Sequence, residues 1–331
     1  MKTSKYFLIG FLLLSAIAKG QYLPTTGQPF QFAPVYNPAF TGIDPFGDIR
    51  LAYRSQLGAY GANSPTFFNG LYQFRLNQPY SANLNSFRTG TTRPENATRA
   101  SGIVHGMGVN VYDEQLGVMS RRGAGISYAF HFPITEKLML AIGTSAMVEN
   151  LRIDPDKIYL GANADPDPVY QQILNGKTNN TSLNARAGAV LYSQDFYVGL
   201  SYLPVLRYDL HDASWMTASS IYKATLQAGY NFRLSETIQL KPSVVGYLNG
   251  GNHVNMDYAA KVYIRNLVWA GAMYRDTQMG VAQLGFNINK MFTASYSFEF
   301  STGAWKFGSG SHELVLGIRM NNFKNQSNYI W

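Results

Sequence analysis

Polar and apolar residues alternate along most of the chain from Asp48 onward. Between Tyr222 and Leu234 the residues Tyr222, Ala224, Leu226, Ala228, Tyr230, Phe232 and Leu234 fall on one face. Lys223, Thr225, Gln227, Gly229, Asn231 and Arg233 fall on the other. A strand turns successive side chains to opposite sides, so such a segment has one apolar and one watery face. Leu284, Phe286 and Ile288 alternate in the same way with Gln283, Gly285 and Asn287. So do Tyr296, Phe298 and Phe300 with Ser295, Ser297 and Glu299, and Leu314, Leu316 and Ile318 with Glu313, Val315 and Arg319. The segments are long for a soluble sandwich, whose strands run about 5–6 residues, and match tilted membrane strands of about 9–11. Tyrosine and phenylalanine recur near their ends, as in the aromatic girdles of outer-membrane barrels.

Fourteen such segments are predicted: 48–54, 65–76, 102–112, 120–132, 137–149, 182–193, 195–203, 221–234, 236–247, 253–264, 267–275, 278–289, 291–300 and 311–320. The predicted fold is all-β, a transmembrane antiparallel outer-membrane β-barrel. With the N-terminal end in the periplasm, the odd-numbered connections lie outside the cell. They include the long ones, 150–181 and 204–220, while most even-numbered ones are tight turns, such as 133–136 and Arg265-Asn266. That asymmetry is the expected one for such barrels. The exception is 77–101, long, polar and on the periplasmic side.

The ends of the chain read differently. Lys2 and Lys5 precede an apolar run from Tyr6 to Ile17, and Ala18-Lys19-Gly20 closes it with small residues. This is the pattern of a secretory signal peptide, with cleavage after Gly20 or after Ala18, and the run is too short for a spanning helix. Residues 21–47 are irregular, carry five prolines, and are expected to pack in or under the periplasmic mouth as a plug. The barrel is placed at 48–320 and a tail at 321–331.

Composition narrows the picture. With no cysteine there is neither a disulfide nor a lipidated thiol. The formal charge of +8 includes three leader lysines and no leader acid, so +5 remains on the mature chain. That excess is scattered, which excludes a nucleic-acid interface and suits a rim that meets lipopolysaccharide.

Specific strings then matter. Asn37-Pro38-Ala39-Phe40-Thr41-Gly42 is followed by Tyr53-Arg54-Ser55-Gln56 and by Gly61-Ala-Asn-Ser-Pro65-Thr66. Gly106-Met-Gly108, Asp113-Glu-Gln-Leu-Gly117, Lys241-Pro-Ser243, Tyr274-Arg275 and His312-Glu313 come after them in order. This succession resembles the PorP/SprF family of type IX secretion system membrane proteins over essentially the whole mature chain. Leu57 stands where the family has tryptophan, and 77–101 looks like an insertion. The resemblance implies a Bacteroidetes-type outer membrane and a part in type IX secretion or gliding motility. It also implies partners of two kinds: the C-terminal domain of a large secreted adhesin, or periplasmic lipoprotein and peptidoglycan-binding subunits. The residues do not separate the two.

Candidate chemistry is thin. His211 and Asp212 lie near Ser214 in an external loop, but no nucleophile-elbow motif surrounds that serine. Asp154, Asp156, Asp165 and Asp167 are interleaved with prolines in the longest loop and lack a calcium-loop spacing, so a solvated acidic loop is expected. His312-Glu313 lacks the second histidine of a zinc motif. No catalysis, metal or cofactor is therefore expected. Lys223, Arg233, Lys241, Glu299, Glu313 and Arg319 fall on watery faces and predict a lumen of mixed charge. Such charges either hold a plug or set the selectivity of an open pore. The first alternative makes the chain a docking barrel, with the acidic loop, His211 and Trp215 as partner contacts and 21–47 and 77–101 as periplasmic contacts. The second makes it a porin or a hydrophobic-solute channel.

Overall fold

A computed structural model of the chain describes residues 26–56, 64–76, 102–135, 137–158, 178–210, 222–249, 254–303 and 310–320. The alternating segments form β1 (Gly47–Ser55), β2 (Thr66–Arg75), β3 (Val104–Leu116), β4 (Met119–Pro133), β5 (Met139–Ile153), β6 (Asn179–Tyr192) and β7 (Phe196–Asp209). They continue as β8 (Tyr222–Tyr230), β9 (Phe232–Arg233), β10 (Ile238–Asn249), β11 (Val254–Ile264), β12 (Val268–Arg275), β13 (Met279–Asn287), β14 (Phe292–Ser301) and β15 (Ser311–Met320). Each pairs antiparallel with its neighbours, and β1 pairs with β15 from Gly47↔Met320 to Ser55↔His312, so the sheet closes on itself. Closure removes every sheet edge, which is what a spanning sheet requires in lipid.

β8 and β9 form one crossing in a single register on β10, with Ser243↔Gly229 on one side of a gap and Leu240↔Phe232 on the other. Pro242 sits opposite the gap and has no N–H to give to the ladder. Counted this way the barrel has the expected fourteen crossings.

The two faces separate by polarity. On β15, Leu314 and Leu316 are each 48% exposed while Glu313 and Val315, which alternate with them, are each 1% exposed. Exposed leucine, isoleucine and valine band the outside, and tyrosine and phenylalanine flank the band. Tyr53, Phe68, Tyr274 and Phe300 lie at the end carrying the long connections, and Tyr72, Phe130, Phe232 and Phe292 at the other. This is the layout of a barrel solvated by lipid. The end of the long connections, 154–178 and 210–221, is called the outer mouth below; β1 starts and β15 ends at the inner mouth.

Residues 26–46 do not lie under that inner mouth. They run through the barrel interior as a 3-10 turn (Pro29–Phe32), a single helical turn α1 (Ala33–Tyr36) and a second 3-10 turn (Pro38–Phe40). Pro29, Pro34 and Pro38 each stand at the first or second position of one of these turns, where a missing N–H costs nothing. Nearly every residue of the segment is buried. Phe30, Phe40 and Ile43 join Val190, Tyr197, Val245 and Met273 of the wall in one apolar cluster, and Phe32 packs with Ala52, Leu71 and Val315 in another. The segment expected to offer periplasmic contacts is thus covered by the wall over its described length. The 77–101 connection, residues 1–20 expected to be a leader, and the 321–331 tail lie outside the described residues.

Candidate functional site: the filled lumen

The Asn37–Gly42 box is seated against bare backbone. Asn37 accepts a bond from the Ala39 N–H at 3.0 Å, closing the turn, and its amide donates to the carbonyls of Ala189 and Leu200 at 3.3 Å. The Thr41 hydroxyl bonds Ser127 at 2.8 Å, and the Thr41 carbonyl accepts from His131 Nε2 at 2.8 Å. That donation leaves His131 Nδ1 to accept from the Tyr192 hydroxyl at 2.9 Å. Arg75 grips the next two carbonyls, Gly42 at 2.8 Å and Ile43 at 2.5 Å, while Gln73 accepts from the Gly42 N–H at 3.0 Å. Gly42 has φ of +70°, a conformation that costs glycine alone little.

Facing the box, the wall strands β3, β5 and β6 carry glycine. A Cβ on Gly106 would lie 2.1 Å from the Thr41 carbonyl oxygen, one on Gly143 2.5 Å from the Pro38 backbone, and one on Gly188 2.1 Å from Asn37 Oδ1. The motif and these glycines are two halves of one contact.

Toward the outer mouth the segment is held by charge. Arg275 donates to Glu299 at 2.7 Å, pairs with Asp257 at 3.3 Å and bonds the Thr26 carbonyl. Arg54 donates to the other Glu299 oxygen at 2.8 Å and lies 3.9 Å from Glu313. Glu313 accepts from the Thr26 hydroxyl and the Gly27 N–H, each at 2.8 Å, and Gln283 donates to the Gly27 carbonyl at 2.8 Å. Toward the inner mouth Arg50 pairs with Asp48 at 3.0 Å and bonds Thr293 at 2.9 Å and Gln31 at 3.3 Å. The ammonium groups of Lys241 and Lys261 lie over the rings of Tyr263 and of Phe30 and Trp269, at 4.7, 5.0 and 5.2 Å. On a third side Glu149 collects Tyr112, Arg121 and Arg186, and Arg186 donates to the Val35 carbonyl at 3.1 Å. Buried charge at this density persists only where partners are supplied.

Of the residues singled out from sequence, Asn37, Pro38, Ala39, Gly42, Arg54, Arg275, Glu299, Glu313, Lys241 and Arg319 meet in this interior. Tyr53 and Tyr274 point outward to the girdle, as does His312, whose Nδ1 meets the Tyr296 hydroxyl at 2.6 Å. Gln56, Pro65 and Thr66 frame the outer end of β1 and β2, with Gln56 donating to the Pro65 carbonyl at 2.8 Å. Two expected lumen charges are not part of the buried network. Arg233 falls past the gap at Asn231 and pairs with Asp195 at 2.8 Å on the exposed inner rim. Lys223 shares the inward face but is exposed near the outer end of β8. Both sit where a strand runs out, so water rather than the lumen solvates them.

Asp154 pairs with Lys157 at 3.6 Å and Asp156 is exposed in the same short turn. Asp165, Asp167, His211, Ser214 and Trp215 lie outside the described residues. Among the described residues no group of three or more His, Asp or Glu could hold a metal ion. Sequence reasoning passed over Arg50, Asp48, Lys261, Asp257, His131 and the Glu149 cluster. Each stands on the inward face of its strand, so strand parity was the available signal.

The profile of the family described as "Type IX secretion system membrane protein PorP/SprF" matches residues 18–318. The chain belongs to that family. Among solved structures, this PorP/SprF barrel is similar to the toluene transporter TbuX of Ralstonia pickettii, with 10% identity and a TM-score of 0.48 over 87% of this chain and 92% of that one. It is similar also to the monoaromatic hydrocarbon channel CymD, at 11% identity and 0.47 over 91% and 94%. Outer membrane phospholipase A of Escherichia coli follows at 10% and 0.36, over 84% and 92%. No curated protein sequence matches.

Proposed function

We propose that this PorP/SprF chain is a non-catalytic docking barrel of the type IX system in the outer membrane, binding protein at its rims while its own N-terminal segment seals the lumen. The observation that carries this reading is the filled interior. Residues 26–46 occupy it, and the guanidinium groups of Arg50 and Arg54, each 1% exposed, are spent on internal partners. A barrel packed in this way is a rigid platform, and rigid elements present a binding surface at low entropic cost. The long outer connections, 154–178 and 210–221, are the surface for an exported partner, and the inner rim serves periplasmic subunits.

Affinity purification of the tagged protein from its native envelope in mild detergent, with mass spectrometry, tests the docking role. Recovery of a large secreted protein through its C-terminal domain makes the barrel a surface anchor. Recovery of periplasmic lipoproteins and peptidoglycan-binding subunits makes it part of the apparatus, and recovery of neither overturns docking. Planar-bilayer recording tests the seal separately. The intact protein should show no large stable conductance; stable pores would favour the channel alternative.

A further inference from the structure

The lumen segment runs in an unexpected direction. Its C-terminal end, Asp44–Phe46, leads into β1 at the inner mouth, where Phe46 packs under the Arg319 guanidinium. Its N-terminal end lies at the opposite end of the barrel. Thr26 and Gly27 are bound by Glu313, Arg275 and Gln283, and these are clamped in turn by Arg54 and Glu299. Arg275 is the last residue of β12, Arg54 is next to last in β1, Glu299 is third from the end of β14, and Glu313 is third from the start of β15. All four of those strand ends open on the outer mouth. The chain therefore enters the lumen from the outside and descends through it before the first strand begins.

We propose that the mature N-terminus of this protein leaves the barrel through the outer mouth and stands at the cell surface, beside the long external connections. This rests on the outer-membrane reading above. With cleavage after Gly20, five residues (Gln21–Thr25) precede Thr26. They span at most about 17 Å when fully extended. From Glu313 the outer end of β15 is two residues away, about 7 Å, and the inner end seven residues away, about 23 Å. The inward route is also occupied by residues 28–46, whereas Gly27 is already pressed against the wall, where a Cβ would lie 2.4 Å from Ser297 Oγ. The short outward route is the one the chain can take. It follows that the end created by leader removal is carried across the membrane as the barrel assembles.

The chain has no cysteine, so single cysteines report position without background. Tyr22→Cys is compared with Asp156→Cys on an outer connection and Glu236→Cys in an inner turn, both native positions being exposed. Intact cells are treated with a membrane-impermeant maleimide, and labelling is read on the purified barrel. The expected result is labelling of Tyr22→Cys close to that of Asp156→Cys and several-fold above that of Glu236→Cys. Labelling of Tyr22→Cys only after envelope permeabilisation, or only after denaturation, overturns the proposal. Labelling of Glu236→Cys on intact cells with Asp156→Cys protected would instead overturn the orientation on which it rests.

Discussion

Gly143→Leu should dislodge the Asn37–Gly42 box and turn a sealed barrel into a conducting one. The contact at Gly143 is backbone to backbone, with Ala39 N and the Pro38 carbonyl both 2.5 Å from where a Cβ would stand. Neither side can yield cheaply. β5 is held by β4 and β6 through Ala129 and Gly188 opposite this residue, and the box is held by its own turn. Displacing the box breaks the bonds from Asn37 to Ala189 and Leu200, from Thr41 to Ser127 and from His131 to Thr41. A buried polar group left without its partner costs about 1–3 kcal/mol, so the variant should lose several kcal/mol. The checks are bilayer conductance and the temperature at which the barrel loses its folded mobility in a detergent gel. Ile142→Leu, one residue along on the lipid face, is the control and should change neither. A variant that stays closed and melts as before would show that the box is not what seals the lumen.

How much of this was legible beforehand follows from what a period of two can and cannot encode. Alternation fixes which residues share a face, so the fourteen crossings, the lipid band and the inward placement of Glu299, Glu313, Lys241 and Arg319 could be read directly. Alternation is silent about which inward residues meet. Arg54 and Glu299 are partners because β1 closes on β15 and β15 on β14, a relation between the two ends of the chain. The course of residues 26–46 was hidden for a different reason. Its turns are only three or four residues long, too short to carry a helical period, and its prolines mark it as irregular without giving its direction. Gly106, Gly143 and Gly188 carry no side chain to mark a face, so their role shows only once the box stands opposite them. Arg233 was misassigned because parity alone takes no account of where a strand stops, and the missing N–H of Pro242 breaks the ladder just before it.

Arg275→Met should be the most damaging single change at the outer end of the lumen. The guanidinium serves two carboxylates, Glu299 and Asp257, and one backbone carbonyl, that of Thr26. Methionine keeps much of the stem's bulk but supplies none of the donors, so both carboxylates stay buried with less compensation. Removing one member of a buried ion pair costs about 3–5 kcal/mol. Arg54 still reaches Glu299 at 2.8 Å, which places the loss at the lower part of that span and puts the heavier burden on Asp257. Because Arg275 also holds Thr26, the outer end of the segment should loosen while the Asn37 box, gripped by other strands, stays in place. Chemical unfolding of the variant in detergent measures the cost, and a second substitution apportions it. Adding Asp257→Asn to Arg275→Met removes the stranded charge while keeping its shape, so the double variant should recover part of the loss; contacting groups in one network are expected to be non-additive in this way. If Arg275→Met costs less than about 1 kcal/mol, the range of an exposed pair, then the cluster is solvated from the outer mouth and the clamp on Thr26 is weak. A normal seal with full recovery in the double variant would instead mean that the charges are needed only to compensate one another, and that the segment is held by its glycine-lined seat alone.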